Sequence, residues 1–102
     1  MKAELLKSFL KDHCLGRKRT VPGAALERTL HMSTKTLQHC VNRLRQNGVP
    51  IASSEHGYFY AENAAEVYAT IRRLKKMAAT IEKAINGLES AMERFGEGGD
   101  SG

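Results

Sequence analysis

The stretch from Ala24 to Gly48, AALERTLHMSTKTLQHCVNRLRQNG, decides the fold of this chain. Its apolar residues recur at helical spacing on both sides of an interruption at residues 31–33, which predicts two helices joined by a tight turn. Ser33 is a good N-cap because its hydroxyl can accept a hydrogen bond from an amide that the first helical turn leaves unpaired. We therefore expect the second helix to begin at Thr34. The apolar positions are Leu26, Leu30, Met32, Leu37, Cys40, Val41 and Leu44.

The second of these helices has two different faces. Leu37, Val41 and Leu44 fall on one side at intervals of four and three, which predicts a core face. The opposite side contains no acidic residue and consists of hydrogen-bonding groups that suit base edges and phosphates. This polar side predicts a binding partner. It comprises Thr34, Lys35, Gln38, His39, Asn42, Arg45 and Gln46.

The segment from Val49 to Tyr60 predicts a β-hairpin. Short strands are expected at residues 51–52 and 58–60, and Gly57 can supply the unusual φ that the connection needs. At least one side of the second strand should pack on the core. The tip of the hairpin, residues 53–56, contains no Lys or Arg.

The predicted helices and hairpin share one sequence motif with fixed spacing. Its residues are Ser33, Leu37, Val41, Leu44-Arg45, Gly48, Pro50-Ile51 and Gly57-Tyr58. With this set, residues 1–61 resemble the winged helix-turn-helix domains of bacterial and phage regulators, including the amino-terminal domain of biotin-type repressors. The resemblance implies a mainly α fold with a small β-wing. At two positions the chain departs from the family, since His31 replaces the usual glycine of the turn and Glu27 the usual alanine of the first helix. We therefore expect a positive φ at His31 and an outward-pointing Glu27.

The resemblance also implies binding to double-stranded DNA, with the helix that begins at Thr34 in the major groove. The expected base contacts are Thr34, Lys35, Thr36, Gln38 and His39. The expected contacts to the DNA backbone are Arg17, Lys18, Arg19, Ser33, Asn42, Arg43 and Arg45. The cations at residues 17–19 are expected in a loop before a short strand at Thr20-Val21. Alternatively, these cations interact with the negative end of the dipole of the first helix.

The first helix is predicted over residues 1–15, with Gly16 as its C-terminal stop. Both cysteines, Cys14 and Cys40, lie on the apolar sides of predicted helices and are expected as buried thiols. Neither has partners at metal-ligand spacing, so a zinc site at the two His-Cys dipeptides is not expected. The expected buried side of the first helix is Leu6, Phe9, Leu10, His13 and Cys14.

Positive charge is concentrated in the first part of the chain. Residues 1–60 contain ten Lys or Arg against four acids, and residues 61–102 contain six against seven, within a total of +5. A basic domain joined to a near-neutral segment is typical of a nucleic-acid binder with a separate assembly element. A merely solubilising surface is the alternative explanation.

A heptad pattern follows Asn63, which is a candidate N-cap. Apolar residues separated alternately by four and three positions predict one helix of about 29 residues with a continuous apolar seam for oligomerisation. An antiparallel pair, a four-helix bundle and a fold back onto the first helix are all consistent with this pattern. The seam is Val67, Ile71, Leu74, Ala78, Ile81, Ile85, Leu88, Met92 and Phe95.

Composition and the absence of known motifs limit the other classes of function that the chain could have. With 102 residues and a mean hydropathy of −0.43, the chain suits one small globular domain plus a helix. It contains no signal-peptide core and no apolar run that could span a bilayer, so we expect a cytoplasmic protein. No nucleophile, phosphate loop or cofactor motif is present. We therefore expect neither an enzyme nor a cofactor, metal or small-molecule ligand.

The expected organisation is a winged helix-turn-helix domain at residues 1–61, a coiled-coil-type helix at 62–95 and a disordered tail at 96–102. Two functions are consistent with it. The first is sequence-specific duplex DNA binding by a homodimer or tetramer that acts as a bacterial or prophage transcriptional regulator. The second is a winged-helix interaction module that assembles a phage replication or packaging complex, with weak or no DNA binding.

Overall fold

The computed structural model describes residues 1–95, and the predicted tail at residues 96–102 lies outside the described residues. The chain is mainly helical, with one small antiparallel sheet and a long C-terminal helix, which confirms the predicted fold class. Helices α1 to α4 span Lys2–His13, Gly23–Leu30, Thr34–Gln46 and Ala64–Met92, strands β1 and β2 span Ile51–Ser54 and Gly57–Tyr60, and short 3₁₀ helices span Arg17–Arg19 and Glu93–Phe95.

The chain divides into two compact units, of which the first is residues 1–71 and the second begins at Arg72. The first unit extends beyond the boundary expected at residue 61 because the first two turns of α4 pack within it. The Thr70 hydroxyl accepts a hydrogen bond from the Ser53 backbone N–H at 3.2 Å, and Val67 packs against the core. The start of α4 is therefore part of the first unit.

The core of the first unit is formed by α1, α2, α3 and the hairpin made of β1 and β2. Helix α3 contacts both α1 and α2, and α1 also contacts β2. The apolar face predicted for α3 is confirmed, as is the burial of both cysteines. The largest side chains that are fully buried are Phe59, Leu6, Leu10, Leu26, Leu37 and Val41.

Helix α1 ends earlier than expected, because the next residues pair with β2. The Tyr60 N–H donates to the Cys14 carbonyl and the Gly16 N–H donates to the Tyr60 carbonyl, both at 2.8 Å. His13, the last helical residue, is exposed rather than buried, while Phe9 is half-buried with its ring centroid 5.0 Å from the His13 ring. The prediction of a buried His13 was therefore wrong.

The predicted strand at Thr20-Val21 is reduced to a single bridge. Val21 and Tyr58 exchange two backbone hydrogen bonds of 2.9 Å, on the edge of β2 opposite to β1. Gly57, at the start of β2, has a φ of 138°, and a Cβ at this position would meet the backbone of Val21 and Pro22. The expectation of an unusual φ at Gly57 is confirmed, and the close approach adds a second reason for glycine.

The turn between α2 and α3 is stabilised by backbone geometry and by capping. His31 adopts a left-handed conformation with φ 54° and ψ 54°, and the Met32 N–H donates to the Glu27 carbonyl at 3.0 Å. The Ser33 hydroxyl accepts from the Thr36 N–H at 3.1 Å, so Ser33 is the N-cap of α3. The predicted positive φ, N-cap and helix start are confirmed.

The long helix begins and ends close to the predicted positions. Asn63 caps α4 by accepting from the Glu66 N–H at 2.9 Å, and the helix continues for 29 residues without a break. Phe95, the last predicted seam residue, belongs to the following 3₁₀ helix. Within residues 1–95, no helix has the combination of length and apolar character that a bilayer crossing requires.

Candidate nucleic-acid interface

One face of α3 presents polar side chains to solvent. Lys35, Gln38, His39, Asn42 and Gln46 follow the spacing of a single helical face, and all five are exposed. Arg43, at the edge of this face, is exposed as well. Across the part of the chain that the structure describes, the side chains of Lys35, Gln38 and His39 have no hydrogen-bond partner. We call these six residues the α3 polar face.

The hydroxyl residues at the start of α3 are engaged within the protein. Ser33 donates to the Thr36 hydroxyl at 3.0 Å in addition to its capping bond, and Thr36 is half-buried. The Thr34 hydroxyl donates to a Glu27 carboxylate oxygen at 3.0 Å. The Ser33, Thr34 and Thr36 hydroxyls therefore have partners within the protein, and their expected contacts with DNA stay predictions.

Glu27 changes the electrostatics of the same helix end. The amino terminus of a helix normally attracts an anion such as a phosphate group. The Glu27 carboxylate, bound to the Thr34 hydroxyl, already places a negative charge beside the first turn of α3. The part of α3 best suited to an anionic partner therefore begins at Lys35.

Arg45 differs most from its expected role. Its Nε donates to the Ile51 carbonyl at 2.8 Å and its Nη2 donates to the Ser53 hydroxyl at 3.1 Å. The side chain is half-buried between α3 and β1. Arg45 was expected as a DNA backbone contact, and the structure instead assigns it the role of joining α3 to the hairpin.

The three cations at residues 17–19 form a 3₁₀ helix instead of the expected loop, because Gly16 turns the chain with a φ of 88° and its carbonyl accepts from the Arg19 N–H at 3.0 Å. All three side chains are exposed. The Arg17 guanidinium lies 5.8 Å from the centre of the Phe59 ring. The cluster is therefore ordered while its charges remain accessible.

Glu66 holds this basic segment against the start of α4. Its carboxylate accepts from the Glu62 N–H at 2.8 Å and from the Arg17 N–H at 3.0 Å. These backbone donors lower the pKa of Glu66, with a further contribution from the Arg17 charge. The ionised carboxylate thus fixes the position of the 3₁₀ helix.

The tip of the hairpin is a two-residue turn, Glu55-His56, so the strands are longer than predicted. The two tip side chains are highly exposed and lie 3.5 Å apart, from Glu55 Oε2 to His56 Nε2. An acidic group at this position does not favour approach to a phosphate backbone. The hairpin therefore contributes less positive charge than α3 or the segment at residues 17–19.

Two residues to which the sequence assigned no specific DNA contact lie in this region, Gln46 within the α3 polar face and Asn47 beside it. Gln46 and Asn47 line a shallow depression together with His39, Asn42 and Arg43. The Asn47 amide donates to the Arg43 carbonyl at 3.1 Å, which closes the end of α3. Helical spacing already placed Gln46 on the polar side of this helix, whereas Asn47 was predicted only as a helix terminator.

Comparison of the chain with protein-family models, with curated proteins and with solved structures finds no match. The function must therefore be argued from the surfaces themselves.

The second unit carries a separate apolar surface. Among the seam residues, Ile81 is 60% exposed and Leu88 is 69% exposed. Val67 is an exception, since it is half-buried and packs against the core of the first unit. Its expected role in oligomerisation stays a prediction. The other exposed large seam residues of the second unit are Ile85, Met92 and Phe95, and Ile71, the last residue of the first unit, is exposed as well.

The chemistry of the remaining titratable groups is limited. Burial raises the pKa of the Cys14 thiol, although the charge of Arg19 opposes this shift. Such a thiol stays protonated and unreactive at neutral pH. Among residues 1–95, no three His, Cys, Asp or Glu side chains converge at the spacing of a metal site.

Proposed function

We propose that this protein binds duplex DNA in a sequence-dependent manner as a homo-oligomer, as a transcriptional regulator of bacterial or prophage origin acting in the cytoplasm. The observation that carries the proposal is the α3 polar face, which is exposed and lacks acidic residues. A helix of this kind fits the width of the major groove, where each base pair presents a distinct pattern of donors and acceptors.

The order of elements supports the same proposal. Three helices followed by a β-hairpin is the order found in winged helix-turn-helix domains, in which the third helix contacts bases. In this assignment Lys35, Gln38 and His39 contact base edges. Asn42, Arg43 and the cations at residues 17–19 contact phosphates.

The homo-oligomer is supported by the exposed seam of the second unit, residues 72–95. Isolated exposed apolar residues are normal on protein surfaces, but a helical row of them is typical of an association surface. Two or four copies joined in this way would present two or more α3 helices to neighbouring half-sites of an operator.

The test is binding of the full chain to DNA selected from random duplex oligonucleotides, followed by fluorescence anisotropy at several salt concentrations. With phosphate contacts from Arg43 and residues 17–19, the logarithm of affinity should fall with the logarithm of salt with a slope of about −4 per bound chain. Enrichment of one sequence motif with this salt dependence would support the proposal.

Two variants separate base contacts from phosphate contacts. Gln38→Ala should reduce discrimination between the selected site and a scrambled site by about 1 to 3 kcal/mol. Arg43→Ala should weaken binding to both sites equally and reduce the salt slope by about one. Asn86→Ala, at an exposed amide of the second unit, serves as the matched control and should leave both quantities unchanged.

A second function is favoured by the hairpin tip, where Glu55 and His56 stand instead of cations. Together with the exposed seam, this feature is consistent with a winged-helix interaction module that assembles a phage replication or packaging complex. Undetectable or salt-insensitive DNA binding, with no motif enriched in the selection, would support this function over the first.

A further inference from the structure

The two flanks of the exposed seam in the second unit have different chemistry. Positions seven residues apart lie on the same flank of a helix whose apolar residues repeat as a heptad. One flank carries three charged residues, Lys75, Glu82 and Glu89, all of them exposed. The other flank carries three small or flexible apolar residues, Met77, Ala84 and Ala91.

This difference distinguishes the two possible directions of a second helix. In a parallel pair, each helix places its charged flank against the apolar flank of the other. Glu82 would then lie across from Met77 of a second copy, and its charge would be partly desolvated without a partner. In an antiparallel pair, the charged flank of one helix faces the charged flank of the other, and the two apolar flanks also face each other.

The signs of the charges favour the antiparallel pair. The charged flank runs from a cation, Lys75, to two acids, Glu82 and Glu89. Reversing the second helix brings Lys75 of each copy beside an acid of the other. In one of the two nearest registers Lys75 lies beside Glu82, and in the other it lies beside Glu89. Both registers form two opposite-charge pairs by symmetry, but the second also places Glu82 beside Glu82 of the other copy, so the charges favour the register that pairs Lys75 with Glu82.

The charge along the helix as a whole agrees with this direction. Residues 72–76 contain four cations and no acid, whereas residues 82–94 contain three acids and two cations. A parallel pair would bring the two cationic segments to the same height along the helix, while an antiparallel pair separates them, which reduces their long-range repulsion. The opposed helix dipoles add to the same preference.

We propose that the second unit associates with a second copy of this chain in the antiparallel direction, with the Lys75 flanks of the two copies facing each other. This inference rests on the proposed homo-oligomer and specifies its geometry. The apolar residues Met77, Ala84 and Ala91 of both copies then extend the seam on the other flank. Ala84 and Ala91 permit the two helices to approach closely.

A charge reversal tests the direction. Lys75→Glu makes the whole flank acidic, so an antiparallel pair exchanges two attractive contacts for repulsive ones. Its dissociation constant, measured by sedimentation equilibrium without DNA, should rise about tenfold or more. The triple variant Lys75→Glu, Glu82→Lys, Glu89→Lys restores opposite charges and should return to within about threefold of the original protein.

Lys76→Glu is the matched control, because it makes the same charge change at the neighbouring exposed position, away from the seam. It should leave the dissociation constant within about twofold of the original. Equal effects of Lys75→Glu and Lys76→Glu in a stable oligomer would overturn the antiparallel arrangement and leave the proposed DNA binding intact. A chain that remains monomeric at high concentration would overturn both the oligomer and its direction.

A distance measurement gives a second, independent test. Ser90→Cys places a spin label on the exposed side of the helix, opposite to the seam. In an antiparallel pair, the two labels should be separated along the helix axis by about 35 Å if Lys75 lies beside Glu82 and by about 24 Å if it lies beside Glu89, at 1.5 Å per residue. Labels at the same height would show a parallel pair and overturn the proposal. The buried thiols of Cys14 and Cys40 should react slowly with the label.

Discussion

The two units of this chain use their apolar residues in opposite ways. In the first unit Leu6, Leu10 and Phe59 are each 0% exposed, because α1, α3 and the hairpin cover them. In the second unit Leu88 is 69% exposed and Met92 is 61% exposed. Apolar residues recur at helical spacing in both units, so periodicity alone does not show which apolar face is covered by its own chain.

The difference has a thermodynamic consequence. Burial of apolar surface within the first unit stabilises it at any protein concentration. The apolar face of the second unit gains the same stabilisation only when a partner covers it, so its stability depends on concentration. Substitutions in the two units probe this contrast, beginning with the largest expected effect.

Phe59→Ala should have the largest effect on folding. Phe59 is completely buried beneath the Arg17 guanidinium, and its truncation leaves a cavity in the core of the first unit. We expect a loss of about 3 to 5 kcal/mol in the free energy of unfolding, measured by urea denaturation followed by circular dichroism. Phe95→Ala, at a residue that is 75% exposed in the single chain, is the matched control when both variants are measured at a protein concentration below the dissociation constant of the oligomer. If both variants lost similar amounts of unfolding free energy, the two units would not differ in how their apolar residues contribute to stability.

Ile81→Asp combined with Ile85→Asp should have the next largest effect, and on association rather than on the first unit. Two desolvated carboxylates in the seam are expected to raise the dissociation constant of the oligomer by more than about a hundredfold. The control carries the same charges at exposed positions away from the seam, Asn86→Asp and Ser90→Asp. Light scattering measures the molar mass of the oligomer. If the variant with both Ile81→Asp and Ile85→Asp kept the mass of the original protein, the seam would not be the association surface.

Gly87→Ala should stabilise the second unit slightly. Gly87 lies inside α4, and a Cβ added there would have no side-chain or distant backbone atom within 4 Å. Alanine at such a position favours the helix by about 0.5 to 1 kcal/mol. Gly48→Ala is an informative control, since that site is equally open but has a φ of 83°. Thermal unfolding should therefore shift upward for Gly87→Ala and downward for Gly48→Ala, and shifts of the same sign would contradict this explanation.

Glu66→Gln should have the smallest effect, and that effect should depend on pH. The lowered pKa of Glu66 means that its charged form stabilises the folded first unit above about pH 4.5, and that this contribution disappears as the pH falls through the lowered pKa. The difference in unfolding free energy between the original protein and the variant should be constant near neutrality and shrink in acid. Glu4→Gln, at an exposed residue of α1, provides the control. A difference that grows in acid would contradict the assigned role.

The elements that could be predicted from the sequence are those specified by neighbouring residues. Ser33 and Asn63 cap their helices through amides three residues away, and the 29-residue length of α4 follows from an unbroken apolar repeat. The positive φ at His31 was expected from the resemblance, because winged helix-turn-helix domains usually carry glycine at this position of the turn. Such signals need no knowledge of the rest of the fold.

The elements that could not be predicted depend on residues far apart in the sequence. Arg45 has the same helical spacing as an exposed cation, and only the position of β1 shows that its guanidinium is bound there. Likewise, Thr34 donates to Glu27 because two helices meet at a particular angle. Thr70 is buried because its hydroxyl reaches the backbone of β1. Polar contacts of this kind produce no periodic pattern in the sequence from which they could be predicted.

The close approach of Gly57 to Val21 and Pro22 has an evolutionary consequence. Any side chain at position 57 would meet main-chain atoms, which cannot move aside as the end of a flexible side chain can. Natural variation of this protein should therefore retain glycine at position 57, whereas position 48 should admit asparagine, which tolerates its backbone conformation without meeting a neighbour. Selection would thus act on both space and torsion at position 57 and on torsion alone at position 48.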